Sequence, residues 1–302
     1  MLRFIINRLL QGLLVLFALY TITFFLAKAM PGEPFTTEKN ISEEAKAYQR
    51  AIYGLDKSLF EQYLRYPINI ITKGSFAVST SKGRPVRDII AQSFPNSLIL
   101  GLSALGIAIC IGVPLGVISA IRKNSWVDWG AMSIAMIGIC VPAFTVGPLL
   151  QIYIASHLPG LKVAGWGSPA DIILPALTLG LTTAAYLARL TRGGMLEILS
   201  QDFIRTAKAK GIPSNKLITK HALRGGLLPA IAFIGPSFAA LISGSFIVET
   251  IFQVPGMGQH FVNAVIARDA FLLLGVALFF GFLIVIMNLA ADILTGIMDP
   301  RV

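Results

Sequence analysis

The sequence predicts an all-α integral membrane protein with six transmembrane helices, and two observations carry that class. Of 302 residues, 55% are hydrophobic and only 13% charged, at a mean hydropathy of +0.74, far from the balance of a soluble globular chain. Six apolar stretches are each long enough to cross ~30 Å of hydrocarbon, which takes about 20 residues of helix. An even number of crossings returns both termini to one side.

The first span is expected over residues 5–30. Arg3 and Arg8 precede it, and Ala27-Lys28-Ala29 has the small residues of a cleavage site. Its apolar run nevertheless exceeds the about 7 to 15 residues of a signal h-region, so it reads as a retained span with Lys28 snorkelling to the outer interface. The one sizeable insertion outside the bilayer follows, over 32–94. A helix-forming run from Ser42 to Tyr53, a break at Gly54-Leu55-Asp56 and an amphipathic run from Leu59 to Ile71, with Phe60, Tyr63, Leu64 and Ile68, suggest surface-lying helices. The insertion is too short and too weakly apolar to stand alone, so 1–302 reads as a single transmembrane domain.

The remaining spans are expected over 96–121, 130–155, 172–190, 227–248 and 270–291. In the second, Gly112-Val113-Pro114-Leu115-Gly116 sets small residues four apart, which allows close helix approach and a bend. Pro142, Pro148, Pro175 and Gly235-Pro236 are expected to break or bend other spans, for a translocation path or for packing alone. Cys110 and Cys140 read as buried apolar packing residues, and His157, His221 and His260 are isolated, so no disulfide or metal site is visible. In the fifth span, Ser237, Ser243 and Ser245 either line a polar path or hydrogen-bond back to their own helix. Glu249, ahead of the turn at Gln253 to Gly258, either sits at the outer mouth of such a path or caps that turn.

Between the fourth and fifth spans the loop over 191–226 carries a basic, mostly polar island that runs from Phe203 to Pro229. Asp202 is a good N-cap for a helix through Lys210, Gly211 sits where a left-handed C-cap is expected, and Pro213 cannot continue the helix. Ser214 can cap a second helix through Lys216, Leu217, Lys220 and His221 to Gly225-Gly226. Two short helices should meet at a fixed corner.

The R-T-A-K-A-K-G of this island, followed by H-A-L and L-L-P, resembles the cytoplasmic coupling loop of ABC-importer permeases in its peptide-transporter form. The resemblance continues through M-L-R-F-I-I-N-R-L-L, the P-G-E-P-F at Pro31, G-L-D, Q-Y-L, A-R-L-T-R-G-G-M, V-E-T-I-F-Q-V-P-G-M-G and the terminal D-P-R. On these motifs the chain is similar to the oligopeptide and dipeptide permease family, in its oligopeptide B-subunit branch. It departs from the family's G-D-L-G or G-D-F-G near Lys73, where it reads K-G-S-F-A-V. The resemblance implies a six-span permease of the ABC-importer type, one half of a heterodimeric channel in the bacterial inner membrane. Its implied partners are a second homologous permease, one or two cytoplasmic ATPase subunits that hydrolyse ATP with Mg, and an extracytoplasmic peptide-binding protein docking near the first loop. Phe203, Arg205, Ala207, Lys208, Gly211, Leu217 and His221 are the expected ATPase-coupling residues, attached through Leu228 and Pro229. For the charged members, the alternative is a solvated face toward phospholipid phosphates.

Charge sets the expected orientation. The basic residues divide almost evenly between the two sides, but most of the outer set lies in the long first loop, where translocation tolerates charge; the short outer loops hold only Lys162 and Arg268. Both termini and the island are therefore expected in the cytoplasm. A net charge of +10 split across a membrane does not make a nucleic-acid surface. With no G-x-x-x-x-G-K-[ST] loop and no grouped catalytic residues, no ATPase site, catalytic residue, metal or cofactor is expected in this chain. A self-contained secondary transporter would need repeated halves and intramembrane charges, neither of which is evident. Oligopeptides are the expected substrate, with dipeptides, nickel, opines and murein peptides as alternatives that share the pattern.

Overall fold

The computed structural model describes residues 2–30, 43–243 and 246–298. The P-G-E-P-F motif, Ser42, Ser245 and the terminal Asp299-Pro300-Arg301 lie outside the described residues. Helices and turns make up nearly all that is described, beside one isolated antiparallel bridge between Val78 and Pro85. The chain gathers into two compact units, Met1–Ser97 with Pro255–Leu283, and Leu98–Val254 with Ile284–Val302. Four helices are long and apolar enough to cross a membrane, and two bent pairs bring the number to as many as six.

The first unit holds α1 (Leu2–Ala29), α2 (Glu43–Tyr53), α3 (Leu59–Lys73), the start of α4 (Val86–Ile121), α13 (Met257–Ile266) and the start of α14 (Ala270–Met298). Its core is aromatic: Tyr20 and Phe24 of α1 pack with Tyr66 of α3 and Leu274 of α14. The Tyr20 hydroxyl donates to the Tyr63 carbonyl and its ring stacks on Tyr66 at 6.0 Å, which turns Tyr63, Tyr66 and Ile70 inward. Phe60, Leu64 and Ile68 consequently face away from the unit, Phe60 at 72% exposure, so of the four apolar residues the sequence marked on α3 only Tyr63 turns inward. Lys28 departs from simple snorkelling. Its Nζ donates to Gln62 and lies 5.9 Å from the Phe24 ring centroid.

Asp269 organises the other end of this unit. One carboxylate oxygen caps α14 by accepting from the Leu272 amide at 3.0 Å; the other accepts from the Ser79 hydroxyl at 2.5 Å, the Ser81 hydroxyl at 2.8 Å and the Ser81 amide at 3.0 Å. The 79–85 turn so anchored leads into α4, which starts about ten residues before the span expected from 96.

The second unit contains the rest of α4, α5 (Trp126–Cys140), α6 (Ala143–Leu150) with a widened turn over Gln151–Ala155, and α7 (Pro169–Leu199). It continues through α8 (Asp202–Ala209), α9 (Ser214–Lys216), a second widened turn (Leu217–Ala222), α10 (Leu223–Gly226), α11 (Leu228–Ser243) and α12 (Phe246–Phe252). The stretch expected as one span over 130–155 is two helices bent by 102°. Pro142 lacks an amide proton and pushes Val141 to an extended conformation (φ −85, ψ 118), which ends α5. Pro148, Pro175 and Pro236, expected as breaks or bends, lie inside helices. Gly112 and Gly116 allow α4 to lie against α7: a Cβ there would meet the Ala184 carbonyl at 2.5 Å and the Ala188 carbonyl at 2.4 Å. Cys110 and Cys140 are exposed, facing away from this chain's core rather than packing in it.

Candidate functional site

The polar island forms the expected two-helix corner. Gln201, extended at φ −71 and ψ 151, is the N-cap of α8, which makes Asp202 its first helical residue, so the helix begins one residue earlier than the sequence suggests. Asp202 still places negative charge at the helix start and pairs weakly with exposed Arg205 at 3.4 Å. At the other end the Ile212 amide reaches back to the Ala207 carbonyl at 3.3 Å, and the Gly211 amide to Lys208 at 3.0 Å, with Gly211 at φ +77. This is a Schellman closure, and a left-handed residue is its requirement. A Cβ at Gly211 would meet no atom within 4 Å, so only backbone conformation restricts this position. Pro213 precedes the second helix as its backbone cap and Ser214 is its first residue, without the side-chain cap the sequence suggests.

The corner is seated on the ends of two spans. Ile204, Ala207, Leu217 and Ala222 are buried with Ala120 of α4 and Met195 of α7, and Ile212 packs against the same cluster. Ala207 and Leu217 thus face the chain's own interior and hold the corner in place, while Phe203, Arg205, Lys208 and Gly211 are exposed and His221 is partly buried. Phe203 is 51% exposed on an otherwise polar surface. Burying the remaining half of such a ring against a partner is worth about 1–1.5 kcal/mol.

Behind the corner, α7 and α10 approach at backbone distance. A Cβ on Gly194 would lie 2.4 Å from the Gly226 carbonyl and 3.1 Å from the Pro229 ring; one on Gly226 would lie 2.5 Å from the Met195 sulfur. Leu228 is partly buried and Pro229 is exposed beside this crossing. A second clasp joins α7 to α5: Arg192 donates from Nε and Nη2 to the two Asp128 oxygens at 2.6 and 2.8 Å. Asp128 also accepts from the Asn124 amide at 2.9 Å and from the Ser119 hydroxyl of α4. Such a bidentate pair with its remaining lone pairs satisfied offsets the cost of burial. Sequence reasoning missed this pair. The available signal was an acid at the start of one apolar helix and a base near the end of another, each needing a partner.

Of the expected path residues that are described, Ser237 borders a groove and Glu249 lies apart from it. Ser237 is buried in α11 with its hydroxyl donating back to the Phe233 carbonyl at 2.6 Å, and it borders a groove of about 410 Å³ with Thr182, Thr183 and Tyr186 of α7 and Phe233 and Pro236 of α11. Glu249 is fully buried in α12, and its carbonyl accepts from the Val254 amide at 2.8 Å, closing the turn. The backbone of Ser243 ends α11, while its side chain and all of Ser245 lie outside what is described.

The chain is similar to known proteins in sequence and in fold. Residues 112–302 match the family of binding-protein-dependent transport system inner membrane components, and residues 1–101 match its N-terminal counterpart. The oligopeptide transport system permease protein OppB of Haemophilus influenzae is 42% identical, and that of Escherichia coli 40%, each across 100% of this chain and 99% of the relative. The dipeptide transport system permease protein DppB of Bacillus subtilis is 40% identical across 100% of this chain and 98% of its own. Among solved structures, an inward-facing form of the MetNI methionine ABC transporter superposes with a TM-score of 0.61 at 17% identity, covering 70% of this chain and 96% of that one, which places the two in one fold.

Proposed function

The chain belongs to the binding-protein-dependent transport system inner membrane component family, and on that premise we propose that it is the peptide-conducting permease subunit of an ATP-driven ABC importer, with oligopeptides as its substrate class. The observation that carries this reading is the 40–42% identity to oligopeptide permeases along the entire chain. It is a multi-pass inner-membrane protein. Its proposed partners are a second, homologous permease, one or two cytoplasmic ATPase subunits that bind and hydrolyse MgATP, and an extracytoplasmic peptide-binding protein, with both termini and the α8–α9 corner in the cytoplasm.

In this reading Phe203, Arg205, Lys208, Gly211 and His221 meet the ATPase, with Ala207 and Leu217 seating the corner behind them. Closure of the ATPases displaces the corner, and three attachments carry the displacement inward: the apolar seat on α4 and α7, the Gly194–Gly226 crossing beside Leu228 and Pro229, and the Arg192–Asp128 clasp. A packed, hydrogen-bonded attachment moves helices as bodies rather than absorbing the push. The groove bordered by Ser237, Thr182 and Tyr186 offers hydroxyls and rings without a charge, a wall suited to peptide backbone of any sequence. Ser243, Ser245 and Glu249 are proposed to border the same path toward α12.

Reconstitution tests this directly. ATP-dependent peptide uptake should require this chain, its partner permease and the ATPases together, whereas uptake by this chain alone under a proton gradient would mark a secondary transporter. A second reading has specific support, since the dipeptide permease of Bacillus subtilis is 40% identical, as is the Escherichia coli oligopeptide permease. Exchanging the binding protein distinguishes them: a peptide-length preference that follows the binding protein leaves this chain neutral in selection.

A further inference from the structure

Within the first unit a groove of about 540 Å³ opens between α1, α3, α4 and α14, and no polar atom faces it. Leu16, Ile70, Ile90, Phe94, Leu278 and Phe282 line it, with the Phe94 and Phe279 rings in edge contact at 5.0 Å. Arg87 contributes the single charged residue. Its stem belongs to the wall while the residue as a whole is exposed, so the guanidinium reaches out of the groove, and among the described residues it forms no ion pair.

The depth of these residues identifies the occupant. Val86 packs against Gly275, where a Cβ would lie 2.5 Å from its side chain, which sets the start of α4 about 8 Å in from the first residue of α14 at 1.5 Å per residue. Phe282 lies roughly 10 Å further along the same helix. The groove therefore begins less than about 10 Å inside one end of α14, within reach of the headgroups for a snorkelling arginine, and runs inward along two apolar helices, α1 and α14, that are long enough to span the bilayer. Water gains nothing from walls without a polar atom. We propose that this groove is a binding site for an anionic phospholipid, with an acyl chain between α1, α4 and α14 and the phosphate paired with the Arg87 guanidinium. An arginine fork matches a phosphate, and its exposed position at the mouth costs no buried charge. The lipid would fill a gap between helices that the chain's own side chains leave open, bracing the packing of α1 against α14.

The test uses the complete importer in phosphatidylcholine nanodiscs carrying a minor fraction of phosphatidylglycerol with a photoreactive acyl chain. Adducts are expected at residues 87–94 and 278–282. Ala91→Trp, which fills the groove, should remove them while adducts on the exposed face of α1 persist. Arg87→Gln, a surface change that spares the fold, should lower the preference for phosphatidylglycerol over phosphatidylcholine about fivefold, the worth of one basic residue at an anionic surface. Adducts spread evenly and unaffected by Ala91→Trp would overturn the proposal. So would capture of the partner permease, rather than lipid, by a photoreactive residue replacing Phe282, which would make the groove a protein interface.

Discussion

At Gly211 the chain separates conformation from crowding. Because a Cβ added there would find no atom within 4 Å, replacement is restricted only by the positive φ of +77. A β-branched side chain in the left-handed region costs about 1–2 kcal/mol, whereas asparagine tolerates it. Gly211→Val should therefore leave membrane insertion intact but weaken ATPase association or uncouple ATP hydrolysis from uptake, with Gly211→Asn much closer to wild type; coupling ratios in proteoliposomes check this. Arg192 makes a different demand. Arg192→Leu leaves Asp128 buried without its cation and should cost about 3 kcal/mol, read as a lower thermal midpoint in detergent. His260 supplies a pH dependence. Lys82 donates to its Nδ1 at 3.0 Å, and burial, then the charges of Lys82 and Arg84, lower its pKa from 6.5 to about 4. The unfolded chain then takes up the proton first, so the contribution is constant above pH 6.5 and is lost as pH falls toward 4. Thermal midpoints should decline across that window, and His260→Gln should flatten the decline. Gly211 was legible from sequence because a helix stop has a local signature. Asp128–Arg192 and Lys82–His260 join residues far apart in the chain, which no local pattern reveals.

Four helices end on the same hydrogen-bond pattern, with a left-handed residue at Gly54, Gly211, Gln253 and Arg268. Two are glycine and two are not. At exposed Gln253 the Val254 amide closes on Glu249 at 2.8 Å, so the turn that links α12 to the following segment holds a side chain in an unfavourable conformation. Gln253→Gly should raise stability by about 1 kcal/mol, measured as an upward shift in the thermal midpoint, while a substitution to valine lowers it. The elements themselves were largely legible. Apolar length alone located α1, most of α4, α7 and α14, and turn residues located α2, α3 and the corner. What hydropathy does not carry is direction, so the 102° bend at Val141-Pro142 reads as one continuous apolar stretch. Nor does it carry which part of a broad apolar stripe is inward, because on α3 Phe60, Leu64 and Ile68 lie beside Tyr63, Tyr66 and Ile70 and the Tyr20–Tyr63–Tyr66 contacts decide the choice.

Across the whole molecule, much apolar surface is unburied by the chain itself: Leu10, Leu13, Leu14 and Phe17 of α1 are all more than half exposed. Lipid and a partner subunit are the two media that accept such a surface. The candidate site was legible as a position and a shape, from the basic island and its glycine. Its inner and outer faces were not, since the 3.6-residue period places Ala207 and Leu217 inward only once α4 and α7 are in place. In the proposed orientation, a cysteine at Lys57 should react with an impermeant thiol reagent in intact cells and one at Ser214 should be protected. The proposed coupling role turns on the exposed face of the α8–α9 corner being where ATPase force enters. Photo-crosslinking in intact cells from a photoreactive residue replacing Phe203 reads that contact without an intermediate. The expected outcome is a cross-link to a cytoplasmic ATPase subunit whose yield changes with nucleotide state; cross-linking to the extracytoplasmic binding protein, or to lipid alone, would refute the assignment.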